Sequence, residues 1–136
     1  MSSLHLPSTN LGRWLLAVSI LAAGNTLTGL FSTASSRKSY STNKGLSQVT
    51  PLQTRHYSFW TLTAAVVRCY AAYSITNKEV YEICMATFVI VLLHIGSEMA
   101  VYKTATLSSG GIRSTLLVAT GTLAAMVMQY NHYVGK

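Results

Sequence analysis

Two long apolar runs joined by a short polar turn constrain this chain more than any other feature. In residues 59–76 the only charged side chain is Arg68, and in residues 83–102 the only one is Glu98. Both runs reach the roughly 17 to 25 residues that a bilayer-spanning helix requires. A soluble amphipathic helix would show a polar face at the 3.6-residue period, and a single charged residue in each run is too few to form such a face. The two runs therefore predict a membrane hairpin.

Four apolar stretches in all predict an all-α integral membrane protein, built as a bundle of four transmembrane helices. The spans are expected at about residues 14–31, 59–76, 80–102 and 112–130, with a tight hairpin between the second and the third. They occupy more than half of the 136 residues, so a single domain over the whole chain is expected. Too few residues remain for a soluble dinucleotide-binding domain.

The segment 32–53, between the first two spans, has a different composition. It carries Arg37, Lys38 and Lys44 among many serines and threonines. Such a segment buries too little apolar surface to fold alone, and it is predicted to be a flexible loop.

The turn before the third span carries a helix-start signal. Thr76 and Glu79 have the spacing of a capping box, in which the two side chains accept hydrogen bonds from amides at the start of a helix. Only about three residues separate the second and third spans, so their helices are expected to be antiparallel neighbours.

Ionisable side chains in this hairpin are expected to form a polar network. At 1.5 Å per residue from the turn, Arg68 lies about 15 Å deep, His94 about 24 Å and Glu98 about 30 Å, with Arg55 near the level of Glu98. Helical side chains lean toward their own amino terminus, which brings Arg68 and Glu98 together through His94. A central arginine costs at least roughly 2.5 kcal/mol. This favours a network or partner contact over the alternative, in which Arg68 snorkels and Glu98 is interfacial.

Aromatic side chains near the span ends are typical of a membrane–water interface, and we assign Trp14, Tyr57, Trp60 and Tyr102 to it. The loops after the first and third spans hold six basic residues, against three on the opposite side. Because basic residues accumulate on the cytoplasmic side, these loops are predicted to face the cytosol.

Charge and histidine spacing argue against several functions. The net charge of +7 comes from basic residues placed singly in loops and at helix ends, which does not indicate a nucleic-acid partner. The four histidines lack the close spacing of a metal site, and the three carboxylates offer no acid–base pair. We predict that the chain is not an enzyme and has no catalytic residue, cofactor or metal.

Short motifs are spread over most of the chain. They are Arg13-Trp14-Leu15-Leu16, Asn25-Thr26, Trp60-Thr61-Leu62, Val67-Arg68, Tyr70-Ala71-Ala72-Tyr73, Thr87-Phe88, His94, Ser97-Glu98 and Tyr133-Val134-Gly135. In this order they resemble the ergosterol biosynthetic protein 28 family. The resemblance does not extend to residues 32–50, and Ser58 stands where that family is expected to have a glycine.

The resemblance implies a non-catalytic scaffold of the endoplasmic reticulum membrane that acts in ergosterol, and hence steroid and lipid, biosynthesis. The implied partners are sterol C-4 methyl oxidase, the decarboxylating sterol C-3 dehydrogenase and 3-keto sterol reductase. The bilayer surrounds the multi-pass chain.

Two further interpretations stay open. Arg68, His94 and Glu98 would also serve as an intramembrane polar path in a small transporter or a sterol-binding protein. Gly121 and Ala125 have the spacing of small residues at helix contacts, which leaves a homodimer open, although such pairs more often pack within a bundle.

Overall fold

The computed structural model describes residues 5–135, and within that range it contains helices and connecting turns but no β-strand. The helices are α1 (Asn10–Phe31), α2 (Ala34–Ser39), α3 (Asn43–Gln48), α4 (Pro51–Tyr73), α5 (Lys78–Ala100), α6 (Gly110–Met128) and α7 (Tyr130–Tyr133). The all-α prediction is confirmed. The four long helices α1, α4, α5 and α6 fall at the four predicted spans.

The helix starts follow from capping side chains. Thr9 caps α1, and Thr50 caps α4, where Pro51 occupies the first turn. The prediction that Thr76 caps α5 is wrong, because the cap is Asn77, whose Oδ1 accepts a hydrogen bond from the Val80 amide at 2.9 Å. Asparagine is a stronger cap than threonine, so the helix begins one residue later and Glu79 stays in its first turn.

Three of the long helices, α1, α5 and α6, are long and apolar enough to cross a membrane. The fourth, α4, is not among them. Its amino-terminal half carries Gln53, Arg55 and His56, and Arg68 lies further along it. The four predicted spans are therefore supported at three positions by length and composition.

Helices α1 and α4 approach closely at two glycines. A Cβ at Gly12 would lie 2.6 Å from the carbonyl oxygen of Ala72, and one at Gly29 would lie 2.1 Å from the Ser58 Oγ. Small residues at such crossings let two backbones approach, as is common between membrane helices.

Hydrogen bonds reinforce the same contact. The Ser19 hydroxyl donates to the Ala65 carbonyl at 2.6 Å, and the Thr26 hydroxyl donates to the Ser58 carbonyl at 3.0 Å. Positions along α1 rise as their partners along α4 fall, so the helices are antiparallel and in register over almost their full length.

A buried apolar cluster fills one end of the bundle, where α1 and α5 begin and α4 and α6 end. Its fully buried members include Leu15, Tyr81, Cys84, Phe88 and Met126. The Tyr81 hydroxyl reaches across to donate to the Met126 carbonyl at 2.7 Å. This end is the hydrophobic core of the bundle.

The opposite end is covered by the segment that was predicted to be a flexible loop. The structure instead forms α2 and α3 there and starts α4 at Pro51. The Thr42 hydroxyl donates to the Lys103 carbonyl at 3.0 Å, and a Cβ at Gly45 would lie 2.2 Å from the Thr104 carbonyl oxygen. The segment is ordered by contacts with the α5–α6 connection. The composition of the segment alone could not predict these contacts.

Candidate functional site: a cavity beside Arg68 and a cluster around His94

Arg68 is buried in α4, and α5 supplies its contacts. Its Nε donates to the Thr87 Oγ1 at 3.2 Å, and its guanidinium carbon lies 4.1 Å from the centre of the Phe88 ring. The Thr87 hydroxyl in turn donates to the Cys84 carbonyl at 2.8 Å, which orients it to accept from Arg68. A cation over an aromatic face and one hydrogen bond thus replace the predicted carboxylate contact.

His94 is the centre of a second polar cluster. Its Nε2 lies 2.8 Å from the Tyr40 hydroxyl, and its Nδ1 lies 3.9 Å from Oε1 of Glu98 one turn further along α5. The other Glu98 oxygen accepts a hydrogen bond from the Thr104 hydroxyl. The cluster therefore ties the segment around α2 and α3 to the carboxy-terminal end of α5.

Rings from α4 surround the same histidine. The Trp60 and His94 ring centres lie 5.4 Å apart, and those of Tyr57 and Trp60 also lie 5.4 Å apart, both with edge-to-face geometry. Burial, with the Tyr57 phenol and the Glu98 carboxylate nearby, raises the pKa of Tyr40, so its hydroxyl stays protonated and can donate to His94.

The structure divides the network that was predicted from the sequence. His94 and Glu98 lie together, whereas Arg68 contacts Thr87 and Phe88 instead. Arg55 is exposed near the start of α4, and within residues 5–135 the ion-pair contacts do not include it. The depth estimate places Arg68 level with Thr87, since they lie ten and nine residues from Lys78, but depth does not determine which way each side chain faces.

The two remaining aromatic assignments lie on the outside of the bundle. Trp14 is half exposed, and its indole nitrogen donates to the Thr122 hydroxyl at 2.8 Å, which joins α1 to α6. Tyr102 is exposed just after α5. Trp14 thus also has a structural contact that its position near a span end did not indicate.

A cavity of about 750 Å³ lies between α1 and α6, with walls also from α2, α4 and α5. Its inner end is formed by Val18, Phe88 and Ala119 together with Arg68. The Trp14–Thr122 hydrogen bond joins α1 to α6 beyond this end.

The opposite end of the cavity is polar. It is lined by Asn25, Ser35, Lys38 and Ser114, and the Ser35 hydroxyl donates to the Asn25 amide oxygen at 2.8 Å. Helix α2 thus forms one wall of the opening. Trp60, a member of the His94 cluster, also lines the cavity, so the two sites share a boundary.

The contacts of several residues in these sites were not predicted from the sequence, namely those of Tyr40, Thr87, Phe88 and Thr104, although Thr87-Phe88 is one of the family motifs. Thr87 and Phe88 do lie on α5 at the level of Arg68, so counting from the turn would have found them. Nothing in the Ser/Thr-rich segment distinguished Tyr40. In the part of the chain that the structure describes, no three His, Cys, Asp or Glu side chains group as metal ligands would.

Comparison with known proteins gives the same family as the sequence motifs. The family described as "Erg28 like protein" matches residues 11–124. The chain belongs to the ergosterol biosynthetic protein 28 family. The match runs from the start of α1 through most of α6, so Arg68, the His94 cluster and the cavity all lie within it.

Three relatives in this family are similar over most of their length. Ergosterol biosynthetic protein 28 of Candida albicans is 34% identical over 132 residues, which are 95% of this chain and 94% of the relative. The human homolog is 39% identical over 116 residues, 85% and 81% of the two chains. The Saccharomyces cerevisiae protein is 29% identical over 131 residues, 96% and 86%. No solved structure matches the chain.

Proposed function

We propose that the protein is a non-catalytic scaffold of the endoplasmic reticulum membrane that acts in ergosterol biosynthesis. The observation that carries this proposal is membership of a family whose curated members are named for that pathway. Three helices suited to a membrane support the location in a bilayer.

The bundle crosses the membrane four times in this proposal. Helix α4 is less apolar than its neighbours, but it pairs in antiparallel register with α1 from Gly12 to Gly29. If α1 crosses the bilayer, α4 must cross beside it. The polar side chains Thr54, Ser58 and Arg68 are buried within the bundle, where they avoid the acyl chains.

The outer face of α4 is the surface we assign to a partner protein. Near the start of the helix, Leu52, Arg55, His56 and Phe59 line a shallow hollow, and both basic side chains are exposed. Charged groups beside exposed apolar ones suit a protein neighbour or the lipid head groups better than the bilayer interior. Arg55 therefore takes the role of a partner contact.

The partners in this proposal are the three enzymes that remove sterol C-4 methyl groups, namely sterol C-4 methyl oxidase, the decarboxylating sterol C-3 dehydrogenase and 3-keto sterol reductase. A scaffold accounts for a chain whose polar side chains are engaged in packing contacts, as Ser19 is with Ala65 and Glu98 with Thr104.

The experiment measures sterols in cells that lack their own family member and express variants of this protein. Charge reversal of the surface by Arg55→Glu with His56→Glu is expected to raise C-4 methylated sterols several-fold while each enzyme stays active in isolation. Arg113→Glu reverses an exposed charge at the same end of the bundle and is the matched control, with a normal sterol profile expected.

Two results would contradict the proposal. Steady turnover of a sterol intermediate by the purified chain alone would show that it is an enzyme. A normal sterol profile in cells without any family member would show that the pathway does not require it.

A further inference from the structure

The guanidinium of Arg68 has donors that the protein does not use. Arg68 is 7% exposed, and its single hydrogen bond within residues 5–135 is made by Nε, with no carboxylate in ion-pair range there. A guanidinium offers five N–H donors. The cation also lines the inner end of the cavity. A buried arginine that uses one of its five donors and lines an open space indicates a ligand that brings its own acceptor.

The dimensions of the cavity restrict that ligand. Along α1 it extends from Val18 to Ser32, about 21 Å at 1.5 Å per residue, and its volume is about 750 Å³. Apolar side chains such as Phe88, Val91 and Ala119 form the walls of the inner half. A slot of this shape between membrane helices accepts a long, rigid, mostly apolar molecule better than a compact polar one.

We infer that the cavity binds a sterol-class lipid with its acceptor-bearing polar end at Arg68. A carboxylate suits that position best, because a guanidinium binds it with two parallel charge-assisted hydrogen bonds. The choice of a sterol among apolar lipids rests on the proposed role in sterol biosynthesis. The acceptor and its position follow from Arg68 and the cavity.

The binding assay uses tryptophan fluorescence of the purified full-length protein in lipid nanodiscs. The chain has two tryptophans, and Trp60 lines the cavity whereas Trp14 does not. In a Trp14→Phe background, energy transfer from Trp60 to dehydroergosterol, a fluorescent sterol, reports occupancy. We expect saturable transfer that cholesterol and cholesteryl hemisuccinate, a carboxylate-bearing sterol, both reverse. The hemisuccinate is expected to compete at a concentration about tenfold lower.

Variants separate the two ends of the cavity. Ala64→Phe, which fills the space from α4, is expected to abolish transfer. Arg68→Gln is expected to make the two competitors equal, and Arg68→Lys to keep part of the preference. Lys38→Gln tests the opposite orientation, in which the acceptor lies at the polar end of the cavity. Arg37→Gln is the matched control and is expected to leave the preference unchanged, because Arg37 is an exposed residue of α2 that does not line the cavity. Size-exclusion chromatography of each variant checks that it remains folded.

Three results would overturn the inference: transfer that does not saturate, transfer that Ala64→Phe leaves intact, or a preference that depends on Lys38 rather than Arg68. Failure of this inference can be distinguished from failure of the proposed scaffold function. Absence of sterol binding, with the enzymes still co-purifying, would remove this site and leave the proposed function intact.

Discussion

Helix α1 packs against its two neighbours in opposite ways. Toward α4 it presents glycine, serine and threonine, and the backbones approach until hydrogen bonds such as Ser19 to Ala65 link them directly. Toward α6 it is joined at one end by the Trp14–Thr122 hydrogen bond, and a cavity of about 750 Å³ separates the helices beyond it.

The difference shows how one apolar helix can serve both rigidity and binding. Between membrane helices, close approach through small residues and interhelical hydrogen bonds supplies stability that apolar burial alone does not. The α1–α4 contact therefore holds the bundle together, and the α1–α6 side leaves room for the ligand that we infer. Substitutions on the two sides should have different consequences.

The sharpest test compares two adjacent alanines of α4. Ala65 is buried against α1, whereas Ala64 faces the cavity. Ala65→Phe is expected to lower the free energy of unfolding by about 3 kcal/mol through overpacking, and Ala64→Phe to change it by less than about 0.5 kcal/mol. Thermal unfolding in a mild detergent measures both. Equal losses would mean that the cavity side is packed as tightly as the α1–α4 contact.

A pair of glycines in α1 gives the next largest expected effect. A Cβ at Gly12 would meet the backbone oxygen of Ala72, whereas one at Gly24 meets nothing within 4 Å. Gly12→Ala is expected to lower the free energy of unfolding by roughly 1 to 2 kcal/mol. Gly24→Ala is expected to raise it by up to about 1 kcal/mol, since alanine favours helix. The same sign for both would contradict the close approach.

Substitution of Tyr40, which contacts His94, tests which contacts hold α2 and α3 against the bundle. Tyr40→Phe removes the hydroxyl that lies 2.8 Å from the His94 Nε2, and a loss of about 1 kcal/mol is expected. Faster hydrogen exchange of amides in α2 and α3 should accompany it. Tyr102→Phe removes an exposed hydroxyl and is the control. Unchanged exchange in the Tyr40 variant would show that other contacts hold the segment.

Breaking the bridge between α1 and α6 is expected to have the smallest effect. Trp14→Phe loses one hydrogen bond to Thr122 on a half-exposed side chain, so the free energy of unfolding is expected to fall by less than about 1 kcal/mol. The same thermal unfolding assay measures it. A loss as large as that of Ala65→Phe would mean that this bridge, and not the α1–α4 contact, supports the bundle.

Much of the fold can be predicted from the sequence, because long continuous apolar stretches indicate membrane helices. The hairpin between α4 and α5 and most of the family motifs lie in such runs. The sequence does not predict features that depend on the rotation of a helix about its own axis or on contacts with residues far away in the sequence. The level of Arg68 along the hairpin, beside Thr87, was predictable at 1.5 Å per residue, but its rotation toward Phe88 was not.

Local signals were present at two places where the prediction was wrong. Thr50 followed by Pro51 is a strong helix-start signal. The span was nevertheless predicted to begin at residue 59, because the first two turns of α4 contain polar residues. Asn77 follows Thr76 directly and is the stronger type of cap, so the residue preference already favoured the observed start of α5. Helices α2 and α3 depend on contacts such as Thr42 with Lys103, which lie far apart in sequence.

The most direct test of the scaffold is reciprocal co-purification of the sterol C-4 demethylation enzymes from gently solubilised membranes. With this protein present, a tag on any one of the three enzymes should recover the other two and this chain. Without it, each tagged enzyme should be recovered alone while retaining its own activity. Equal recovery of all three enzymes in the absence of this protein would contradict the account.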